Sequence, residues 1–140
     1  MSQENDSRID VFFYGLFMDQ ALLRQKGINP TNRRFASVED YALVIGERAT
    51  LVPKPGEKAH GVVFSLTTGD VESLYAEPSV KEYRRATVVA NLADGSAIPA
   101  LCFNLPTPSK CNKPNAEYVA KLRKLAIRLG LPMGYIEKIR

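Results

Sequence analysis

Eight consecutive residues, Val11-Phe12-Phe13-Tyr14-Gly15-Leu16-Phe17-Met18, are apolar or aromatic but for one glycine, and Asp19 follows at once. A run of this kind, closed by Tyr-Gly, reads as a strand buried on both faces whose end turns sharply at Gly15. Asp19 then caps the first turn of a helix carrying Ala21, Leu22 and Leu23, with Gly27 as its stop signal. A strand, a glycine corner and a helix start, in that order, leave backbone N–H groups pointing into one small space. Such groups bind anions or polarised carbonyls. On local sequence alone, an ordinary core strand ending in a tight turn, with no ligand, is the competing reading.

The following segments are short and closely spaced. Asn29-Pro30-Thr31-Asn32 is loop by composition, Arg34 to Val38 a short strand, and Tyr41 to Gly46 a β-prone strand ended by glycine. Arg48 follows, then an extended piece from Ala49 to Val52, a turn at Pro53-Lys54-Pro55-Gly56, and a strand from His60 to Leu66. This spacing fits a strongly curved sheet or small barrel better than alternating βαβ units. Thr67 or Thr68 caps a helix with Val71, Leu74 and Tyr75 at helical spacing, which must stop by Glu77 because Pro78 disfavours helix in the residue before it. Asp94-Gly95 joins two strands, Tyr83 to Asn91 and Ile98 to Asn104, into a long hairpin. The segment Pro106 to Pro114 carries three prolines and is expected to be loop, a candidate lid. Asn115 caps a last helix with an apolar stripe of Tyr118, Leu122, Leu125 and Leu129, stopped by Gly130; Pro132 opens a final turn.

The chain has 140 residues, about one ordinary domain, so a frayed segment over residues 1–8 and a single domain over 9–140 are expected. No segment approaches the roughly 18 to 20 unbroken apolar residues of a membrane span. The polar, acidic start is unlike a secretory signal. Cys102 and Cys111 read as free thiols, consistent with a cytoplasmic protein, and the lone His60 cannot join a histidine metal cluster. The net charge of +4 invites a nucleic-acid reading. Much of it, however, falls on Lys121, Arg123, Lys124 and Arg128 of the last helix and on Lys138 and Arg140, the pattern of a solvated face. There is no aromatic-basic interleaving and no helix-turn-helix or zinc-finger spacing, so no nucleic-acid partner is expected. Nothing in the sequence fixes an oligomeric state.

Three features remain as candidate chemistry: the Tyr14-Gly15 corner, Glu77 held extended by Pro78, and the cluster Tyr83, Arg84, Arg85. A carboxylate directly after an amphipathic helix can be aimed inward, and once desolvated its pKa climbs toward neutrality; solvation at a helix end is the ordinary alternative. Arg84 and Arg85 are adjacent on a strand, so only one of them can reach any given pocket.

Tyr14-Gly15 at the end of the first strand, Gly61-Val62-Val63-Phe64 on a middle strand, then Glu77 followed by Tyr83 and Arg85, resemble the γ-glutamylcyclotransferase-like (AIG2-like) superfamily. The resemblance runs from about Val11 to Phe103. The strings Leu74-Tyr75-Ala76-Glu77-Pro78-Ser79-Val80 and Ala100-Leu101-Cys102-Phe103-Asn104-Leu105-Pro106 look like a bacterial branch of it. The resemblance implies an α+β fold, a small mixed β-barrel with flanking helices and a pocket at the barrel mouth. It further implies a small γ-glutamyl-type substrate held by main-chain amides of the Tyr14 to Met18 loop, with Tyr14, Gly15, Leu16, Phe17, Arg48 and Tyr83 as substrate-binding residues. Glu77 falls on the family's acid/base glutamate. In the implied reaction the α-amine of a γ-glutamyl compound attacks its own γ-carbonyl, giving 5-oxoproline and a free amine; neither metal nor cofactor is called for.

The departures are specific. Family members commonly carry Ser after Tyr-Gly, where this chain has Leu16 and Phe17; an Asp often stands where Leu74 does, and a Gly where Pro78 does. The implied site is thus shaped for a more apolar or bulkier substrate. Arg48 is a candidate for a substrate carboxylate or for an ordinary surface role. A binding module that keeps the pocket without turnover is the alternative function on the same fold.

Overall fold

Branched and aromatic residues pair into strands wherever the sequence alternates them with turn formers. In the computed structural model, which describes residues 8–46, 48–76, 80, 82–105 and 115–139, these strands close on themselves. The order is β1 (Arg8–Phe13), a 3₁₀ turn (Leu16–Met18), α1 (Gln20–Gln25), β2 (Thr31–Ile45) and β3 (Ala49–Thr67). There follow α2 (Thr68–Tyr75), β4 (Arg84–Leu92), β5 (Ala97–Asn104), α3 (Ala116–Leu129) and α4 (Met133–Ile136). Glu77, Pro78, Cys111, the proline-rich segment from 106 to 114 and the N-terminal residues 1–7 lie outside the described residues.

The strands run β1-β3-β2-β4-β5 around a closed barrel. All neighbours are antiparallel except β1 and β5, which meet parallel at Val11↔Leu101 and close it. Closure removes the open sheet edges that otherwise invite association. The fold is the mixed α+β barrel with flanking helices that the resemblance implies. On β1, Val11, Phe12 and Phe13 are all buried, so both faces of the strand are covered.

The largest difference from the sequence reading lies in β2 and β3. Four short strands and a turn were expected between Arg34 and Leu66; the structure has two long strands, each bent. Between the pairs Glu39↔Lys58 and Tyr41↔Pro53, Asp40 alone faces the four residues Lys54 to Glu57. Asp40 and Gly56 both take positive φ, 65° and 85°, and the Asp40 carboxylate accepts the Gly56 N–H at 3.0 Å. The Pro-Gly cluster therefore makes a bulge that kinks the strand, and pairing resumes on its far side. Asn32, expected in a loop, is likewise a positive-φ residue within a bulge at the start of β2.

Helix limits follow the capping residues. The side chains of Asp19, Thr67 and Asn115 accept the N–H groups of Ala21, Asp70 and Tyr118, at 3.0, 3.1 and 3.1 Å. Leu122, Leu125 and Ala126 bury the inner face of α3, while Lys121 pairs with Glu117 and Arg128 with Asp19 at its surface. No helix among the described residues is long and apolar enough to cross a membrane.

Candidate functional site

Gly61 on β3 is where the site begins. A Cβ there would stand 2.1 Å from the Phe13 carbonyl oxygen, so only glycine lets β1 and β3 approach this closely at the end of β1. Tyr14, the next residue, turns its hydroxyl across the barrel to donate to the Phe103 carbonyl at 2.6 Å, fixing the strand end to β5. Gly15 follows with φ −113°, so its role is not to supply a left-handed turn. A Cβ on Gly15 would fall 2.5 Å from the Tyr118 hydroxyl, and it is this close approach that demands glycine. The same hydroxyl accepts the Leu16 N–H at 3.4 Å, joining α3 to the corner.

The corner amides are thus only partly available. Met18 N–H is bonded to the Gly15 carbonyl at 3.0 Å within the 3₁₀ turn, and Leu16 N–H is shared with Tyr118. Those of Gly15 and Phe17 have no partner among the described residues.

The corner opens on a cavity of about 370 Å³, within the range of small-molecule sites. Tyr14, Gly15, Leu16, Phe17, Arg48 and Tyr83, the six residues singled out as substrate-binding, all line it. They are joined by Phe13, Tyr75, Phe103 and Tyr118, none of which the sequence marks as a site residue. Aromatic contacts make the wall continuous. Tyr75 stacks on Phe103 with centroids 3.8 Å apart, and meets Phe17 edge-on at 6.1 Å and Tyr83 at 6.3 Å. Burial raises the pKa of the Tyr75 and Tyr83 hydroxyls well above the ordinary value and pushes Tyr118 up to about 12, so all three are neutral at physiological pH. Tyr83 donates to the Ala49 carbonyl.

Charge sits at the two ends of this wall. Lys26 lies 6.0 Å from the Phe17 ring centroid, and the Arg48 guanidinium 5.8 Å from that of Tyr83. Arg48 also forms an ion pair with Glu82 at the surface. Neither Arg84 nor Arg85 lines the cavity; Arg84 donates to the Glu82 carbonyl at 3.2 Å, and the Arg85 guanidinium lies 5.9 Å from the ring centroid of Phe103, its partner across the strands. Leu74, which stands where the family often has Asp, is a buried core residue. Glu77 lies outside the described residues, but Tyr75 and Val80, on either side of it in the chain, both line the cavity. Burial pushes the Cys102 thiol up to about 12, leaving it unreactive. Among the described residues no group of three or more His, Cys, Asp or Glu is placed to hold a metal ion.

The closed five-strand barrel with flanking helices is of the γ-glutamylcyclotransferase-like class. A solved structure described as a gamma-glutamyl cyclotransferase superposes with TM-score 0.81 at 21% identity, over 95% of this chain and 86% of that one. An uncharacterised protein from Homo sapiens gives 0.78 at 22%, over 94% and 86%. YkqA from Bacillus subtilis gives 0.76 at 23%, over 94% of this chain and 52% of that one. No curated protein sequence matches this chain. Residues 11–121 match the family model described as "Gamma-glutamyl cyclotransferase, AIG2-like", and the chain belongs to that family.

Proposed function

We propose that the protein is an enzyme that cyclises a γ-glutamyl amine or peptide to 5-oxoproline, with Glu77 as its general acid/base. The observation that carries this reading is the cavity itself: the family's glycine corner forms one side of it, and the residues flanking Glu77 contribute to its wall. The nucleophile of this reaction is tethered to its electrophile, so proximity is built into the substrate and the protein's task is to hold it folded for ring closure. The α-amine attacks the γ-carbonyl, the Glu77 carboxylate accepts its proton, and the same group returns that proton to the departing nitrogen as the C–N bond breaks. The Gly15 and Phe17 amides are the available donors for the oxyanion that develops. Arg48 is suited to a substrate carboxylate, in exchange for or together with its bond to Glu82.

The test is incubation with a panel of γ-glutamyl dipeptides and amines, with chromatographic detection of 5-oxoproline. Release of 5-oxoproline and free amine in equal amounts is the expected result. A binding module on the same fold gives saturable binding and no product.

A further inference from the structure

The cavity's lining distinguishes between the two halves of such a substrate. A γ-glutamyl group needs polar partners, and the Gly15 and Phe17 amides, which have no partner among the described residues, and a cation at either end of the wall are suited to that need. The remaining surface is different. Phe13, Phe17, Tyr75, Tyr83, Phe103 and Tyr118 line it. The Tyr83 hydroxyl donates its proton to main chain and that of Tyr118 accepts the Leu16 N–H, so both are oriented by the protein. Among the described lining residues the formal charges are Lys26 and Arg48, both positive.

Resting on the cyclisation reading above, we infer that the amine released by this enzyme carries a neutral aromatic group, which packs against the Phe17-Tyr75-Phe103 wall. Three physical terms point the same way. Aromatic rings offer edge and face partners that an alkyl chain uses less well. Among the described lining residues a cationic substituent finds formal charges of its own sign, and it pays desolvation on entering an apolar wall. A small substituent leaves the wall's apolar surface in water. Phe17 itself stands edge-on to Tyr75, ring centroids 6.1 Å apart.

The experiment compares kcat/KM for three substrates with unbranched amines: γ-glutamyl-phenethylamide, γ-glutamyl-ethylamide and γ-glutamyl-4-aminobutylamide. The expected order places the phenethylamide about tenfold or more above the ethylamide, on the scale by which apolar pockets discriminate, and the aminobutylamide lowest. Tyr75→Leu should shrink the phenethyl-to-ethyl ratio to within about threefold and Tyr75→Phe should preserve it; Phe17→Leu serves as the second variant if Tyr75→Leu fails to fold. An ethylamide equal to the phenethylamide, or a preferred aminobutylamide, overturns the inference while leaving cyclisation intact. If none of the three yields 5-oxoproline, the cyclisation reading fails, and calorimetric binding of the same compounds decides the inference separately. Tighter phenethylamide binding then supports it, and equal or absent binding overturns it.

Discussion

Replacing Gly15 by alanine tests how the corner is built, because the contact that forbids a side chain there involves a single atom. The added Cβ would stand 2.5 Å from the Tyr118 hydroxyl, about 0.9 Å inside the 3.4 Å at which ordinary contact begins. The backbone φ of −113° is not left-handed, and the conformational term that accompanies Gly15→Ala is common to the wild-type and Tyr118→Phe backgrounds. Relieving the overlap means moving Tyr118 or the corner, at a cost of about 1–3 kcal/mol. It also strains the Leu16 N–H bond to the same hydroxyl. In a Tyr118→Phe background the nearest remaining atom is the ring Cζ at 3.8 Å, an ordinary contact. Tyr118→Phe alone removes one long hydrogen bond of 3.4 Å and should cost about 0.5–1 kcal/mol. Gly15→Ala should then cost less than about 0.5 kcal/mol when added to it, a coupling of about 1–3 kcal/mol across the cycle. Urea unfolding followed by far-ultraviolet circular dichroism or tyrosine fluorescence measures this cleanly, since the chain has no tryptophan. An equal cost of Gly15→Ala in both backgrounds would refute the claim that Tyr118 shapes the corner.

Gly61→Ala meets a carbonyl oxygen at 2.1 Å with no side chain to move aside, so it should cost about 3 kcal/mol or more; a melting temperature near wild type would contradict the strand spacing. Burial holds the hydroxyls of Tyr14, Tyr75, Tyr83, Tyr118 and Tyr135 protonated beyond the ordinary 10.0. The unfolded chain loses the Cys102 proton above about pH 9 and the tyrosine protons above about pH 10, while the folded chain keeps them, so stability should begin to fall near pH 9 and fall more steeply above pH 10, by up to about 1.4 kcal/mol per pH unit per group. Denaturant midpoints from pH 8 to 11 check the sign. Cys102, fully buried, should resist a thiol reagent until the protein unfolds, whereas labelling at the rate of a free thiol would place it at the surface.

How far the sequence disclosed all this differs by element. Strand β1, the Asp19, Thr67 and Asn115 caps and the Asp94-Gly95 hairpin were legible because each is written in adjacent residues. The continuity of β2 and β3 was hidden because a Pro-Gly cluster signals a bend without saying whether the chain reverses, and the register that decides it comes from the partner strand. The six residues that the family pattern marks, Tyr14 to Phe17 with Arg48 and Tyr83, line one cavity. Tyr118 was missed as a site residue because it sits on the same helical stripe as Leu122 and Leu125; only the folded distance of its hydroxyl from Gly15 and Leu16 sets it apart. Tyr75 shows in the sequence only as a residue at helical spacing and Phe103 only as part of a strand; in the structure they stack on each other along the cavity.

The central claim is that one carboxylate moves the proton in a cofactor-free cyclisation, and Glu77→Gln tests it most directly. Glutamine keeps the size and polarity of the side chain and removes its ability to accept a proton. With a γ-glutamyl amide as substrate and 5-oxoproline as the readout, the account predicts a fall in kcat of about 10²-fold or more with the ligand's Kd changed by less than about threefold. Turnover by Glu77→Gln at the wild-type rate would contradict it.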